Sequence, residues 1–111
     1  MIESYDFGHI VIDGTPYGHD VILYKGKVTR WIRENGHNVS IDDLRDIPKG
    51  TKVFVMGNGY SGVCVFPGET KRYLEAKGIE VIVQMTGQAY KIYNKLDAEG
   101  KNVCGGFHLT C

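Results

Sequence analysis

Three features of the 111-residue chain predict a single α/β domain with a central, mostly parallel mixed sheet. Strand-like apolar runs alternate with helical runs through the second half, which demands crossover connections and therefore parallel neighbours. The N-terminal third reads instead as short runs separated by glycine turns, the pattern of an antiparallel β-ribbon. The 15 glycines, about twice the usual share of ~7%, imply that the chain turns often and tightly. No change of composition divides residues 1–111, so one domain is expected to span them.

His9 to Asp13 is a short apolar run closed by Gly14-Thr15-Pro16, and Tyr17 to Lys25 resumes with four apolar residues, Val21 to Tyr24. Two early strands follow from this. Lys25-Gly26-Lys27 then supplies a turn into Val28 to Ile32, extending the meander through Trp31. Ser40-Ile41-Asp42-Asp43 has the form of a capping box with Asp for Glu, with Val39 and Leu44 at staple positions and Pro48 beyond. It predicts a helix of about two turns.

Lys52 to Met56 lacks polar alternation, as expected of a strand buried on both faces. Pro67 to Lys77 reads as a helix, with Pro67 near its first turn, Gly78 at the C′ position and Ile79 packing back on Leu74. Glu80 to Met85 is a second core strand. Thr86 is expected to cap a further helix, in which Ala89, Ile92, Tyr93 and Leu96 form one stripe that ends at Gly100. Val103 to Cys111 closes the chain as a strand with Val103, Gly105, Phe107, Leu109 and Cys111 on one face.

Thirteen basic residues balance thirteen acidic ones, which removes the electrostatic footprint of a nucleic-acid or anionic-membrane binder. The N-terminal residues carry early charges and no long apolar stretch, so neither a secretory signal nor a spanning helix is expected, and the expected compartment is cytoplasmic. Cys64, Cys104 and Cys111 form no C-x-x-C pair, and the odd count suits neither a disulfide framework nor a four-ligand zinc site. They read as reduced thiols; Cys64, after Gly62, is the one that reactivity would single out.

Gly57, Gly59 and Gly62 have the spacing G-x-G-x-x-G directly after a core strand, which raises the question of a dinucleotide. Such a fold starts its helix within the glycine loop, so that amide groups and the helix dipole face the pyrophosphate. Here Val63 to Phe66 and Pro67 delay the helix. An acidic residue is also needed at the end of the next strand for the ribose, yet Glu80 opens that strand and Gln84 closes it. The loop therefore reads as a glycine turn, and it is not a P-loop, lacking Gly-Lys-Ser/Thr.

Two parallel core strands would still bring the Gly57–Gly62 and Gln84–Gln88 loops side by side at their carboxyl ends, where open α/β sheets place ligands. Asn58, Tyr60, Ser61, Gln84, Thr86 and Gln88 are the candidate contacts for a small polar or anionic molecule, together with the amides that open the last helix. Helix capping and satisfaction of loop backbone account for the same residues. His9, His19, His37 and His108 are scattered and predict no metal site. Cys104 and His108 share a face of the last strand, but roughly 13 Å of extended chain separates them. Ser61 lacks the spacing of a nucleophile elbow. Arg30, Trp31 and Arg33 make the basic and aromatic cluster, with Trp31 expected as a partly buried anchor rimmed by arginines and available to a protein partner.

The segment Thr86 to Gly105, with Thr, Ala, Tyr-Asn, Leu and Glu-Gly-basic-x-Val in order, resembles the adipogenesis-associated Mth-type domain family, as do "VFVMGNG" and "KGIEV". The matching positions are Gly57, Gly59, Thr86, Ala89, Tyr93, Asn94, Glu99 and Gly100. The departures are Asn58, where relatives often carry Thr, and Lys101, where Arg is usual. The resemblance implies a three-layer α/β fold with a central mixed sheet and an added β-ribbon, and implies no reaction, cofactor or catalytic residue. A mitochondrial respiratory complex I assembly factor is a member of the same family. Asn94 lies beside the apolar helix stripe, where it is expected to bond neighbouring backbone or a ligand.

No catalytic constellation emerges, so the expected function is a non-catalytic protein-binding or assembly module, acting with another protein or as a homo-oligomer. The alternative is an enzyme or sensor that binds a small polar or anionic molecule at loops 57–62 and 84–88.

Overall fold

The computed structural model describes all of residues 1–111. Its first three strands, β1 (Ile2–Asp6), β2 (His9–Ile12) and β3 (Thr15–Tyr17), form an antiparallel ribbon in the order β1-β2-β3. Strand β1 is an addition to the sequence reading. Its residues are mostly polar, and it is held through buried Ile2 and half-buried Tyr5. The single strand expected over Tyr17 to Lys25 is broken at Gly18–Asp20, and β4 (Val21–Tyr24) leaves the ribbon for a second sheet. The break is held by the Asp20 carbonyl, which accepts the Trp31 N–H, and by its carboxylate, which accepts the N–H of Leu109.

That second sheet has the order β5-β4-β8-β6-β7, with β5 (Lys27–Arg30), β6 (Val53–Asn58), β7 (Glu80–Gln84) and β8 (Val103–His108). Strands β8, β6 and β7 are mutually parallel, while β4 is antiparallel to both β8 and β5. Four of the five strands therefore run the same way, and the sheet is mixed. β5 ends at Arg30 and β8 at His108, each short of the expected span.

Strand parity separates two cores. The odd positions Val53, Val55, Val103 and Phe107 join Val21 and Leu23 against the ribbon isoleucines and against Ala89 and Tyr93 of α2 (Thr86–Ala98). The even positions Phe54, Met56 and Cys104 join Ile22 against Trp31, Leu44 and Leu74, the last from α1 (Gly68–Glu75). The layers are thus ribbon and α2, then sheet, then α1 with the 31–50 segment. At the centre of β8, two glycines let aromatic rings lie directly on the strand. A Cβ at Gly105 would come within 2.5 Å of Phe107, and one at Gly106 within 2.8 Å of both Phe54 and Trp31.

Both helices end as the sequence predicts. Ile79 and Gly78 donate to the carbonyls of Leu74 and Glu75, and Lys101 and Gly100 do the same to Leu96 and Asp97, two Schellman closures. The Ser40 helix is shorter than expected, a single 3₁₀ turn over Ile41–Leu44. The Asp43 carboxylate accepts the Ser40 N–H at 2.8 Å, but the turn continues through Arg45 and Ile47 with i to i−3 bonds. Pro48 then disfavours α geometry at the residue before it. Neither helix is long and apolar enough to cross a membrane.

Candidate functional site

The glycine loop is filled by the chain itself. The N–H groups of Gly59, Tyr60, Val63 and Cys64 donate to Thr86 Oγ1 and to the carbonyls of Thr110, Cys111 and Asn58. Gly59 sits at φ +108°, and a Cβ there would fall within 2.5 Å of Cys111 backbone. Gly57 is also close to Thr86, whose hydroxyl is 2.8 Å from its ideal Cβ position. The glycine spacing thus lets β6 and its loop close on Thr86 and on residues 110–111, and four of the loop amides are bonded within the chain.

Thr86 is fully buried and does not cap α2. Its hydroxyl donates to the His108 carbonyl at 2.6 Å, so it cannot turn back to the helix, and Met85 occupies the cap position without a side-chain bond. Three of the amides at the start of α2 are also engaged, Thr86 with Gly59 and both Gln88 and Ala89 with Met85. Ser61, Gln84 and Gln88 are exposed, while Asn58 is half-buried with its Oδ1 unpartnered. Asn94 is remote from these loops. Its Oδ1 accepts the Ile2 N–H at 2.9 Å and its Nδ2 donates to the Ile2 carbonyl at 2.8 Å, riveting β1 to α2.

The Arg30, Trp31 and Arg33 cluster is arranged differently from its expectation. Trp31 is 5% exposed, set against Phe54 and Gly106, and its Nε1 donates to the Asp43 carbonyl. The Arg33 guanidinium stacks 4.7 Å from the Trp31 ring centre, and its side chain is 3% exposed. Only Arg30 remains at the surface, together with Ile32. The rim is inverted because Arg33 is drawn inward by a carboxylate.

That carboxylate belongs to Asp20, a residue the sequence reading passed over. Arg33 Nη1 donates to Asp20 Oδ2 at 2.7 Å, and His108 Nδ1 lies 2.7 Å from the same oxygen. Asp20 Oδ1 accepts the Leu109 N–H. A carboxylate oxygen only accepts, so the contact with Asp20 is a bond when Nδ1 carries a proton; Arg33 Nη2, itself only a donor, lies 3.0 Å from the same nitrogen, and Nε2 is left towards Thr110 Oγ1, 3.4 Å away. Burial pushes the Asp20 pKa up, but the bonds from His108, the Leu109 amide and Arg33 outweigh it and hold the carboxyl below its ordinary value. The three residues line a cleft of about 310 Å³ at the end of β8, shared with Arg30 and Thr110. Cys104, on the same strand face as His108, stays apart from it, and burial pushes its thiol up to about 12.

Beside the cleft, the carboxyl ends of β6 and β7 carry a group of exposed apolar side chains. Tyr60, 55% exposed, packs edge-on against Phe7 from the β1–β2 turn, 5.8 Å between ring centres, and lies 6.5 Å from Tyr5. Val63 and Met85 continue the group on either side of Gly62, whose ideal Cβ would sit 3.2 Å from Met85 Cγ.

A family model described as a protein of unknown function, DUF498/DUF598, matches residues 2–108. The crystal structure of a conserved hypothetical protein from Pyrococcus horikoshii OT3 is 28% identical, with 100% of this chain and 99% of that one covered at a TM-score of 0.91. The structure called MT938 is 23% identical, with 100% and 98% covered at a TM-score of 0.79. A Bordetella pertussis protein described as a Mth938-like domain is 19% identical, with 97% and 84% covered at 0.75. The latter two likenesses are of fold, and together with the family match they agree with the Mth-type resemblance carried by Thr86 to Gly105.

Proposed function

The chain belongs to the DUF498/DUF598 family, described as of unknown function, and from its surface we propose that it is a non-catalytic protein-binding module of the assembly type. The observation that carries this reading is the exposed apolar group of Phe7, Tyr60, Val63 and Met85 at one end of the sheet. Exposed apolar residues scattered singly need no explanation, but the Phe7–Tyr60 aromatic pair, presented with Val63 and Met85 at the same end of the sheet, has the composition of an interface centre. The loop that presents it is also fixed in advance. Bonds from Tyr60 and Val63 to Thr110 and Cys111 hold its backbone, so little ordering entropy is lost on docking.

The partner this face suits is a second protein with an apolar, uncharged segment. Ser61, Gln84 and Gln88 flank the group with neutral hydrogen-bonding side chains, which favour no charge on the partner. The proposed compartment is the cytoplasm.

A double variant, Tyr60→Ser with Met85→Ser, tests the reading. The tagged full chain and the variant are incubated with cell extract, and their folds are compared by amide NMR spectra. A stoichiometric partner retained by the first and lost by the equally folded second is the expected result. Identical recovery with both proteins would remove this face from the function. A dimer that dissociates in the variant would assign the face to a second copy of the chain instead.

A further inference from the structure

The cleft over Asp20, Arg33 and His108 has the features of a built site. Two of its ionisable side chains are more than nine-tenths buried, Arg33 at 3% and His108 at 7% exposure. Removing such groups from water costs more than a lone ion pair generally returns, so an apolar cluster of similar volume would serve the fold as well. The charges lie where the cleft reaches them, and they are gathered from three distant segments: the β3–β4 break, the stretch after β5 and the end of β8.

The hydrogen-bonding capacity left over has one character. Both Asp20 oxygens are in use, one with Leu109 and the other with Arg33 and His108, so the carboxylate offers nothing to a visitor. Arg33 Nη2 donates to the Gly36 carbonyl and lies 3.0 Å from His108 Nδ1, but the buried Arg33 Nε has no partner. His108 Nε2 has only the long approach of Thr110 Oγ1. Arg30, on the cleft wall, takes part in no ion pair. Two arginines and one carboxylate line the cleft, leaving an excess of one positive charge with the imidazoles neutral.

We propose that this cleft binds a small molecule through an oxyanion, a carboxylate or a phosphate. Arg30 supplies the free charge at the mouth, His108 in its imidazolium form, with a proton on each ring nitrogen, donates from Nε2 to an oxygen of the visitor, and the Asp20–Arg33 pair holds the ring in place. Guanidinium and imidazole are the side chains suited to such groups. A volume of about 310 Å³ is at the small end for ligand sites and admits a compact metabolite rather than a polymer. The site is separate from the apolar docking face and stands or falls independently of it.

The test is a pair of NMR titrations of the full chain, one with sodium phosphate and one with sodium acetate, each referenced to sodium chloride at equal ionic strength. Saturable shifts of the Ile32, Gly36 and Thr110 amides and of the His108 ring are expected. The arm that saturates at lower concentration names the oxyanion. Arg30→Gln changes an exposed side chain and is expected to weaken binding about tenfold, or 1.4 kcal/mol. His108→Gln is expected to weaken it as well. Absence of a saturable shift beyond the chloride reference in both arms would overturn the proposal, as would unchanged affinity in a folded Arg30→Gln protein.

Discussion

The Thr86 hydroxyl donates to the His108 carbonyl at 2.6 Å while accepting the Gly59 N–H at 2.9 Å, both within the buried interior. One side chain thus joins the start of α2, the glycine loop and the end of β8. Thr86→Val keeps the shape but strands a buried donor and a buried acceptor, each costing about 1–3 kcal/mol when unsatisfied. Urea denaturation should show a loss of about 3 kcal/mol, whereas Thr86→Ser, which retains the hydroxyl, should lose less than half of that. Equal losses in the two variants would mean that the methyl contact, not the hydrogen bonds, holds the junction.

Gly106 is covered by the edge-on pair of Phe54 and Trp31, whose ring centres are 6.3 Å apart. An added methyl meets both rings at 2.8 Å, and because both residues are buried neither ring can swing into solvent. Gly106→Ala is therefore expected to destabilise by about 3 kcal/mol through overpacking and to shift Trp31 fluorescence. Phe54→Leu in the same background opens space over residue 106 and should cost less than it does in the parent chain. Additive losses would place the strain elsewhere.

The parts legible in the sequence were those that local patterning specifies. Unbroken apolar runs marked β6 and β7, and Gly78 and Gly100 marked helix ends that close through backbone bonds to Leu74 and Leu96. Strand β1 was hidden because it alternates little and depends on Ile2 reaching a core built by later segments. The Asp20, Arg33 and His108 cluster was hidden for a stronger reason. Asp20 is 13 residues from Arg33 and 88 from His108, and only the antiparallel placement of β4 beside β8 brings them together. A polar signal did exist in His108 and Asp20, each bordering a core strand where side chains are otherwise apolar. The G-x-G-x-x-G spacing is ambiguous taken alone, since close approach of backbone to Thr86 and Cys111 demands glycine as strictly as a phosphate does, and the delayed helix after Gly62 is what points to a turn.

Asp20 gives the acid limb of stability a definite sign. Burial alone would raise its pKa, but the bonds from His108, the Leu109 amide and Arg33 bring it below the ordinary 3.8. A carboxyl whose pKa is lower in the folded chain stabilises it above the unfolded value, and that contribution is lost as pH falls through the folded value. The melting temperature should fall between pH 5 and pH 2. Asp20→Asn should be less stable at pH 7 and show a shallower acid slope. Parallel acid slopes for the two proteins would mean that other carboxylates govern the limb.

The three thiols should separate by reactivity. Cys64 and Cys104 lie in the core, where burial pushes both upward, Cys104 to about 12, so neither offers thiolate to a reagent at neutral pH. Cys111 is half-exposed beside Gly59. Brief iodoacetamide treatment of the native protein should add one label, at Cys111, and denaturation should release the other two. The same burial predicts an alkaline limb. A thiol kept neutral by the fold contributes stability that is complete below its ordinary 9.0 and declines as pH rises towards about 12, because the unfolded thiol ionises first. Cys104→Ala removes that ionisation while opening a small cavity, so it should lower stability at pH 7 yet flatten the loss between pH 9 and pH 11. Native labelling at Cys104 would show instead that the β8 strand opens far more readily than its burial on both faces implies.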